Sequence, residues 1–260
     1  MNPNAGWLQL VAQRSVPHGE LVAVALLAGS AGGAEDAARS DRALLPSESM
    51  LAEARAQLHP EEWVLAEALA PPRRLAFIGG RMAMRTVLTS IAPAHRHWPL
   101  LRTARGAPRL PAGVIGSISH KRQLAVALAA RATAEARTMG VDVEEVPDAR
   151  DLTRPDLAPR ILTAGEQRAL APLAARDPLA YREAVRLRFA LKEAVYKAID
   201  PHVQRYVGFQ EVEVFPEDAG AVEVRLALPE LAGRQLTVQG YWTRVAGHLV
   251  ATAVGTRHAP

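Results

Sequence analysis

Two pseudo-symmetric α+β halves are the fold this sequence predicts, and three observations predict them. A chain of 260 residues, 49% hydrophobic and 22% charged, can bury one sizeable core or two modest ones. Helical and strand-like stretches both occur in the first part of the chain and again in the second. Each half carries a helical stretch, 74–88 and then 180–199, followed later by an apolar closing strand, Leu124-Ala125-Val126-Ala127 and then Leu249-Val250-Ala251-Thr252. The halves are placed at 1–135 and 136–260, and a cleft between them is the natural place for a ligand.

In chain order, residues 21–29 read as a strand and 30–41 as a loop of small and charged residues. From Pro60 the pattern turns helical towards Leu69, with Glu61 and Glu62 in a first turn where they complement the dipole. Pro71-Pro72 ends that helix. Residues 74–88 form a second one through Phe77, Ile78, Met82, Met84, Val87 and Leu88, although Gly79-Gly80 lowers its propensity. Proline and arginine make 93–112 a loop, and 123–129 and 140–146 read as strands. Residues 150–178 read as loop and short helix, and 180–199 as the longest helix. Strands follow at 207–215, 221–228, 235–242 and 248–254.

Composition narrows the function classes. Without cysteine there is no disulfide, thiolate nucleophile or cysteine zinc site, so a bound metal must rest on oxygen or imidazole, as suits a cytoplasmic protein. The apolar run at 21–29 lacks a basic flank, and at about nine residues it is too short to span a bilayer. A formal charge of +4 with no basic block among aromatics argues against nucleic acid and for a local anionic ligand. Lys121, Lys192 and Lys197 are the only lysines among 31 basic residues. A compact ammonium is not equivalent to a guanidinium, so these positions stand out.

Four segments could carry chemistry. In Gly140-Val141-Asp142-Val143-Glu144-Glu145-Val146, strand periodicity puts Asp142 and Glu144 on one face, with Val141 and Val143 towards the core. Paired carboxylates repel unless a proton or cation lies between them, and hard oxygen ligands suit Mg²⁺ bridging to phosphate. The competing reading is a strand end with solvated acids. In Phe189-Ala190-Leu191-Lys192-Glu193-Ala194-Val195-Tyr196-Lys197, helical spacing stacks Phe189, Glu193 and Lys197 on one face. Glu193 is then a third metal ligand with a phosphate-binding ammonium one turn away, or half of a surface ion pair worth only about 0.3–0.5 kcal/mol. Gly116-Ser117-Ile118-Ser119-His120, before a strand, suits phosphate contacts better than a nucleophilic serine, since G-x-S-x-G is absent. Arg73, Arg74, Arg81, Arg102 and Arg105 form a further basic set, each also readable as solvated charge.

In order and type these segments, together with Arg73-Arg74-Leu75-Ala76-Phe77-Ile78-Gly79-Gly80-Arg81, resemble the 4′-phosphopantetheinyl transferases of the larger, monomeric surfactin- and enterobactin-synthetase kind. The resemblance runs from about residue 60 to 200. It implies a coenzyme A site between two similar halves with Mg²⁺ on the diphosphate. By position, Asp142, Glu144 and Glu193 would ligate the metal, and Lys197 would contact the diphosphate. His120 with Ser119 would reach the 3′-phosphate, helped by Arg102 and by Arg73 or Arg74. Arg81 would join the coenzyme A contacts, and Lys192 would lie near the phosphates. The family often has an acid at Ala76, a basic residue at Ala107 and tryptophan at Phe189, so the grip on coenzyme A differs in detail.

The implied reaction is attack of a carrier-protein serine on the pantetheine-side phosphorus of coenzyme A, with release of adenosine 3′,5′-bisphosphate. The base is Glu193, a metal-bound water or Glu166, with Glu193 favoured. A monomeric enzyme of secondary-metabolite synthesis, with acyl or peptidyl carrier proteins as partners and neither nucleic acid nor membrane, goes with it. A Mg²⁺-dependent hydrolase of a nucleoside diphosphate derivative and a non-catalytic coenzyme A-binding module are the alternatives.

Overall fold

Two units, Met1–Arg131 and Ala132–Pro260, divide the chain. The computed structural model describes residues 8–26, 47–122, 124–229 and 236–257. The expected loop at 30–41 and residues 27–29, 123 and 235 of the expected strands lie outside these. No helix among the described residues is long and apolar enough to cross a membrane.

In the first unit, β1 (Leu8–Val16) and β2 (Gly19–Leu26) are followed by α1 (Glu48–Gln57), α2 (Pro60–Glu67) and α3 (Pro71–Ile91), then by β3 (Val114–Lys121) and β4 (Leu124–Arg131). The antiparallel sheet has the order β1-β2-β4-β3, and α3 lies across β2, β4 and β3. Pro71-Pro72 does more than stop α2. Prolines lose nothing at the first helical positions, where the N–H has no partner anyway, so the pair also starts α3 three residues before the expected point. The apolar face of α3, with Phe77, Ile78, Met82 and Val87, closes on Val22, Val24 and Leu26 of β2 and on Ala125, Ala127 and Ala129 of β4. Sequence periodicity showed neither β1 nor α1.

In the second unit, β5 (Ala136–Glu145) is followed by a 3-10 turn at Ala149–Thr153, by α4 (Ala158–Ile161), α5 (Ala164–Arg176) and α6 (Pro178–Val203), and by β6 (Val212–Pro216), β7 (Ala221–Leu226), β8 (Leu236–Val245) and β9 (His248–Arg257). The order is β5-β9-β8-β7-β6, all antiparallel. Asp177 caps α6 through the Ala180 amide, Pro178 occupies its first turn, and Gln204 ends it in the left-handed region. Residues 164–176, expected as loop and short helix, form a three-turn helix because Thr163 and Glu166 make a capping box.

The duplication expected from the sequence is present in topology. The closing strand, β4 or β9, inserts between the strand before the long helix and the strand just before itself. The quartets Leu124–Ala127 and Leu249–Thr252 are one residue out of register, however. Ala125 and Ala127 face α3, whereas Leu249 and Ala251 pack with α6, so Leu124 and Leu249 point to opposite faces.

A buried polar staple repeats as well. Glu62 is the third residue of α2, accepts the His59 amide in a capping box, and pairs with Arg85 of α3. Glu166 is the third residue of α5, accepts the Thr163 amide, and pairs with Lys192 of α6. Each carboxylate also accepts one distant amide, from Leu100 and from Val214. Each base donates to two carbonyls, Arg96 and Trp98 for Arg85, Ile161 and Phe209 for Lys192. A carboxylate at 0% exposure is tolerable only when its lone pairs are answered in this way.

Candidate active site

Strand β5 carries the first part of the site. Thr138 donates to the Ala198 carbonyl of α6, and Gly140 lies so close to α6 that a Cβ there would meet the Ala194 carbonyl oxygen at 1.9 Å. Residues two apart on a strand share a face, so Asp142 and Glu144 also face α6. The valines 141 and 143 lie on the opposite face and are buried, as expected, and what the sequence did not show is that the two acids are buried as well. With Asp142 at 7% and Glu144 at 6% exposure, the reading of solvated acids at a strand end falls.

Helix α6 brings the second part. Lys197 Nζ donates to Asp142 Oδ1 at 2.7 Å and to the Val141 carbonyl at 2.9 Å. Glu193, one turn earlier, is held above the usual carboxylate range by burial, with repulsion from Asp142 and Glu144 adding and Lys197 opposing. Three carboxylates and one ammonium therefore share a local field. Two turns nearer the start of α6, Arg186 pairs with Asp151 at 2.9 Å and donates to the Glu145 carbonyl, anchoring the end of β5.

The hard oxygens of Asp142, Glu144 and Glu193 suit a small divalent cation. Among the described residues no three carboxylate or imidazole groups converge on one point, and the cation that answers Asp142 is the Lys197 ammonium. By its chemistry the donor set fits Mg²⁺, with Lys197 as the counter-charge already in place.

The 4′-phosphopantetheinyl transferase superfamily pattern matches residues 138–253, and that of the 4′-phosphopantetheinyl transferase N-terminal domain matches 60–130. The chain is 34% identical over 206 residues to the 4′-phosphopantetheinyl transferase Svp of Streptomyces mobaraensis, covering 76% of this chain and 78% of that protein. The chain belongs to the 4′-phosphopantetheinyl transferase superfamily. Identity to the 4′-phosphopantetheinyl transferase PptT of Mycobacterium tuberculosis is 30%, over 75% of this chain and 84% of that one. An ACPS–coenzyme A complex from Chronobacterium ammoniagenes aligns over 48% of this chain and all of its own, with a TM-score of 0.38 and 22% identity. By its family and its 4′-phosphopantetheinyl transferase relatives the protein is an enzyme that moves the phosphopantetheine arm of coenzyme A to a carrier protein, and the hydrolase and binding-module alternatives are not favoured.

Two expectations within this transferase are corrected by geometry. The resemblance puts Lys192 near the phosphates, but the residue is 2% exposed and its ammonium donates to Glu166 Oε2, the Ile161 carbonyl and the Phe209 carbonyl at 2.6, 2.7 and 2.9 Å. Three protons meet three acceptors, which is why a lysine stands there and no forked guanidinium. Glu166, an alternative base, is consumed by the same staple together with the Thr163 and Val214 amides. The capping-box spacings from His59 to Glu62 and from Thr163 to Glu166 were the available signal for both staples. Also unread was the aromatic wall of Tyr196, Tyr206 and Phe209 that lines a groove beside Glu193.

In the first unit the basic residues separate by role. The Arg74 guanidinium donates to the carbonyls of Ala66, Glu67 and Leu69 and so finishes the end of α2, whereas Arg73 is exposed. Arg81 lies 3.7 Å over the Phe77 ring, with Arg102 5.2 Å from the same ring. Arg81 is lowered to about 10, by burial first and by Arg102 second, and its Nε is bonded to the Leu100 carbonyl. The Gly116–His120 segment, expected before a strand, is itself strand β3. Ser119 pairs with Val126 and His120 with Ala125, so their side chains lie on opposite faces of β3.

Proposed function

We propose that Asp142, Glu144 and Glu193 hold Mg²⁺ for transfer of 4′-phosphopantetheine to a carrier-protein serine with release of adenosine 3′,5′-bisphosphate. The observation that carries this reading is the Lys197–Asp142 contact, which joins segments 55 residues apart into one field of three carboxylates and an ammonium. When bound, the metal neutralises charge on the diphosphate of coenzyme A. Lys197 supplies a second positive charge to the same diphosphate. Glu193, whose carboxyl already holds its proton more tightly than usual, accepts the serine proton directly or through water. Little covalent work falls to the protein, so placement and charge carry most of the rate. His120, Arg102 and Arg73 provide the positive side facing the 3′-phosphate, and Arg81, buried on the Phe77 ring that Arg102 also approaches, backs the coenzyme A contacts. The enzyme acts as a monomer in the cytoplasm, on acyl or peptidyl carrier proteins of secondary metabolism, with no nucleic-acid or membrane partner.

The deciding experiment incubates the enzyme, coenzyme A and an apo carrier protein with Mg²⁺ or with EDTA. Mass spectrometry should show one phosphopantetheine added in the first case and none in the second. Equal transfer in EDTA would remove the metal.

Two variants probe the ligand contacts. His120→Ala should weaken coenzyme A far more than 3′-dephospho-coenzyme A; equal losses would place His120 away from the 3′-phosphate. Lys197→Arg should lower kcat/KM at least tenfold, about 1.4 kcal/mol, because a wide fork cannot take the place of an ammonium bonded to neighbouring acceptors on β5. Lys121→Arg should be nearly silent. Wild-type rates for both arginine variants would reduce Lys197 to a local ion pair.

A further inference from the structure

The two polar staples differ in the residue next along the long helix. On α3, Arg85 precedes Thr86, whose hydroxyl is turned back to the Met82 carbonyl of its own helix. On α6, Lys192 precedes Glu193, the proposed metal ligand. The acceptors of Lys192 come from three separate stretches: Ile161 in α4, Glu166 in α5 and Phe209 in the turn before β6. Glu166 adds β6 through the Val214 amide. One buried ammonium therefore ties the middle of α6 to four segments of its own unit.

We infer that Lys192, through its staple to Glu166, is the positioning residue that sets the rotation at which α6 presents Glu193 to Asp142 and Glu144. The inference rests on the reading of Glu193 as a metal ligand. Successive side chains on a helix leave the axis about 100° apart, so fixing the direction of Lys192 fixes that of Glu193. A carboxylate roughly 6 Å from the axis moves about 1 Å for each 10° of helix rotation. A displacement of that size is enough to spoil a site whose ligands must be held to about 0.5 Å. The first unit has the same staple and no catalytic group beside it, so it supplies an internal control.

The test measures Mn²⁺ binding to the coenzyme A-loaded enzyme by electron paramagnetic resonance, with no carrier protein present and no turnover, beside steady-state kinetics. Lys192→Met and Glu166→Gln should each weaken Mn²⁺ by about tenfold or more and lower kcat, while KM for coenzyme A stays within about twofold. Arg85→Lys should lower the thermal midpoint and leave Mn²⁺ affinity at the wild-type value. Wild-type Mn²⁺ affinity in folded Lys192→Met and Glu166→Gln overturns the inference, as does an equal loss in Arg85→Lys, which would show general loosening. Should Lys192→Met fail to fold, Glu166→Gln, which keeps size and shape, decides. Glu193→Gln separates the two layers. Unchanged Mn²⁺ binding there removes Glu193 as a ligand and the inference with it; weakened binding there with none in the staple variants overturns the positioning role alone.

Discussion

Asp142→Ala is expected to lower transfer by at least about 100-fold, the scale on which a group that stabilises developing charge acts. Its fold should stay within about 1 kcal/mol of wild type, because two effects oppose each other. The change removes an ion-pair partner of Lys197, but that ammonium is 29% exposed and keeps the Val141 carbonyl, so it is not left buried and unanswered. It also removes one of the two negative charges that push up the Glu193 carboxyl, which relieves the metal-free protein. Asp142→Asn, keeping the shape, should be as inactive. Transfer measured by mass on the carrier protein and a denaturant midpoint separate the two quantities. Full transfer in either variant would remove Asp142 from the site.

Gly140→Ala is expected to cost at least about 3 kcal/mol and to abolish activity with the same change. The new Cβ would stand 1.9 Å from the Ala194 carbonyl oxygen and 2.9 Å from the Ala198 amide nitrogen, both backbone atoms of α6. No side chain can turn away to relieve this, so the helix itself must move. It is held by the Lys192 staple, by the Arg186–Asp151 pair and by the bond from Thr138 to the Ala198 carbonyl. Glu193 and Lys197 adjoin Ala194 and Ala198, so lifting α6 off β5 carries both away from Asp142. Gly113→Ala is the contrast. There the φ of +79° is strained for alanine but nothing lies within 4 Å, and the loss should be about 1–2 kcal/mol with normal transfer. A Gly140→Ala protein with a wild-type urea midpoint would contradict the close approach.

The features this sequence determined by itself were local or repeated. The two long helices, the closing strands and the pairing of Asp142 with Glu144 come from periods of 3.6 and 2, which need no tertiary information. The order of the motifs pointed to the family, and Lys197 stood out through the scarcity of lysine. Partnership was left to the tertiary structure. Nothing in the spacing says that Asp142 and Glu144, and not Val141 and Val143, turn towards α6, because with both faces of β5 buried the rule that the charged side faces water no longer chooses between them. Lys192 and Lys197 are the same residue type on one helix, yet one ammonium is sunk among Glu166, Ile161 and Phe209 and the other reaches Asp142. That division depends on which face of α6 meets α5 and which meets β5, a matter of packing and not of composition. For the same reason Glu62 was legible only as a first-turn acid and Glu166 not as a helix start at all, and the use of both as buried anchors emerged only when the long helix brought a base against each.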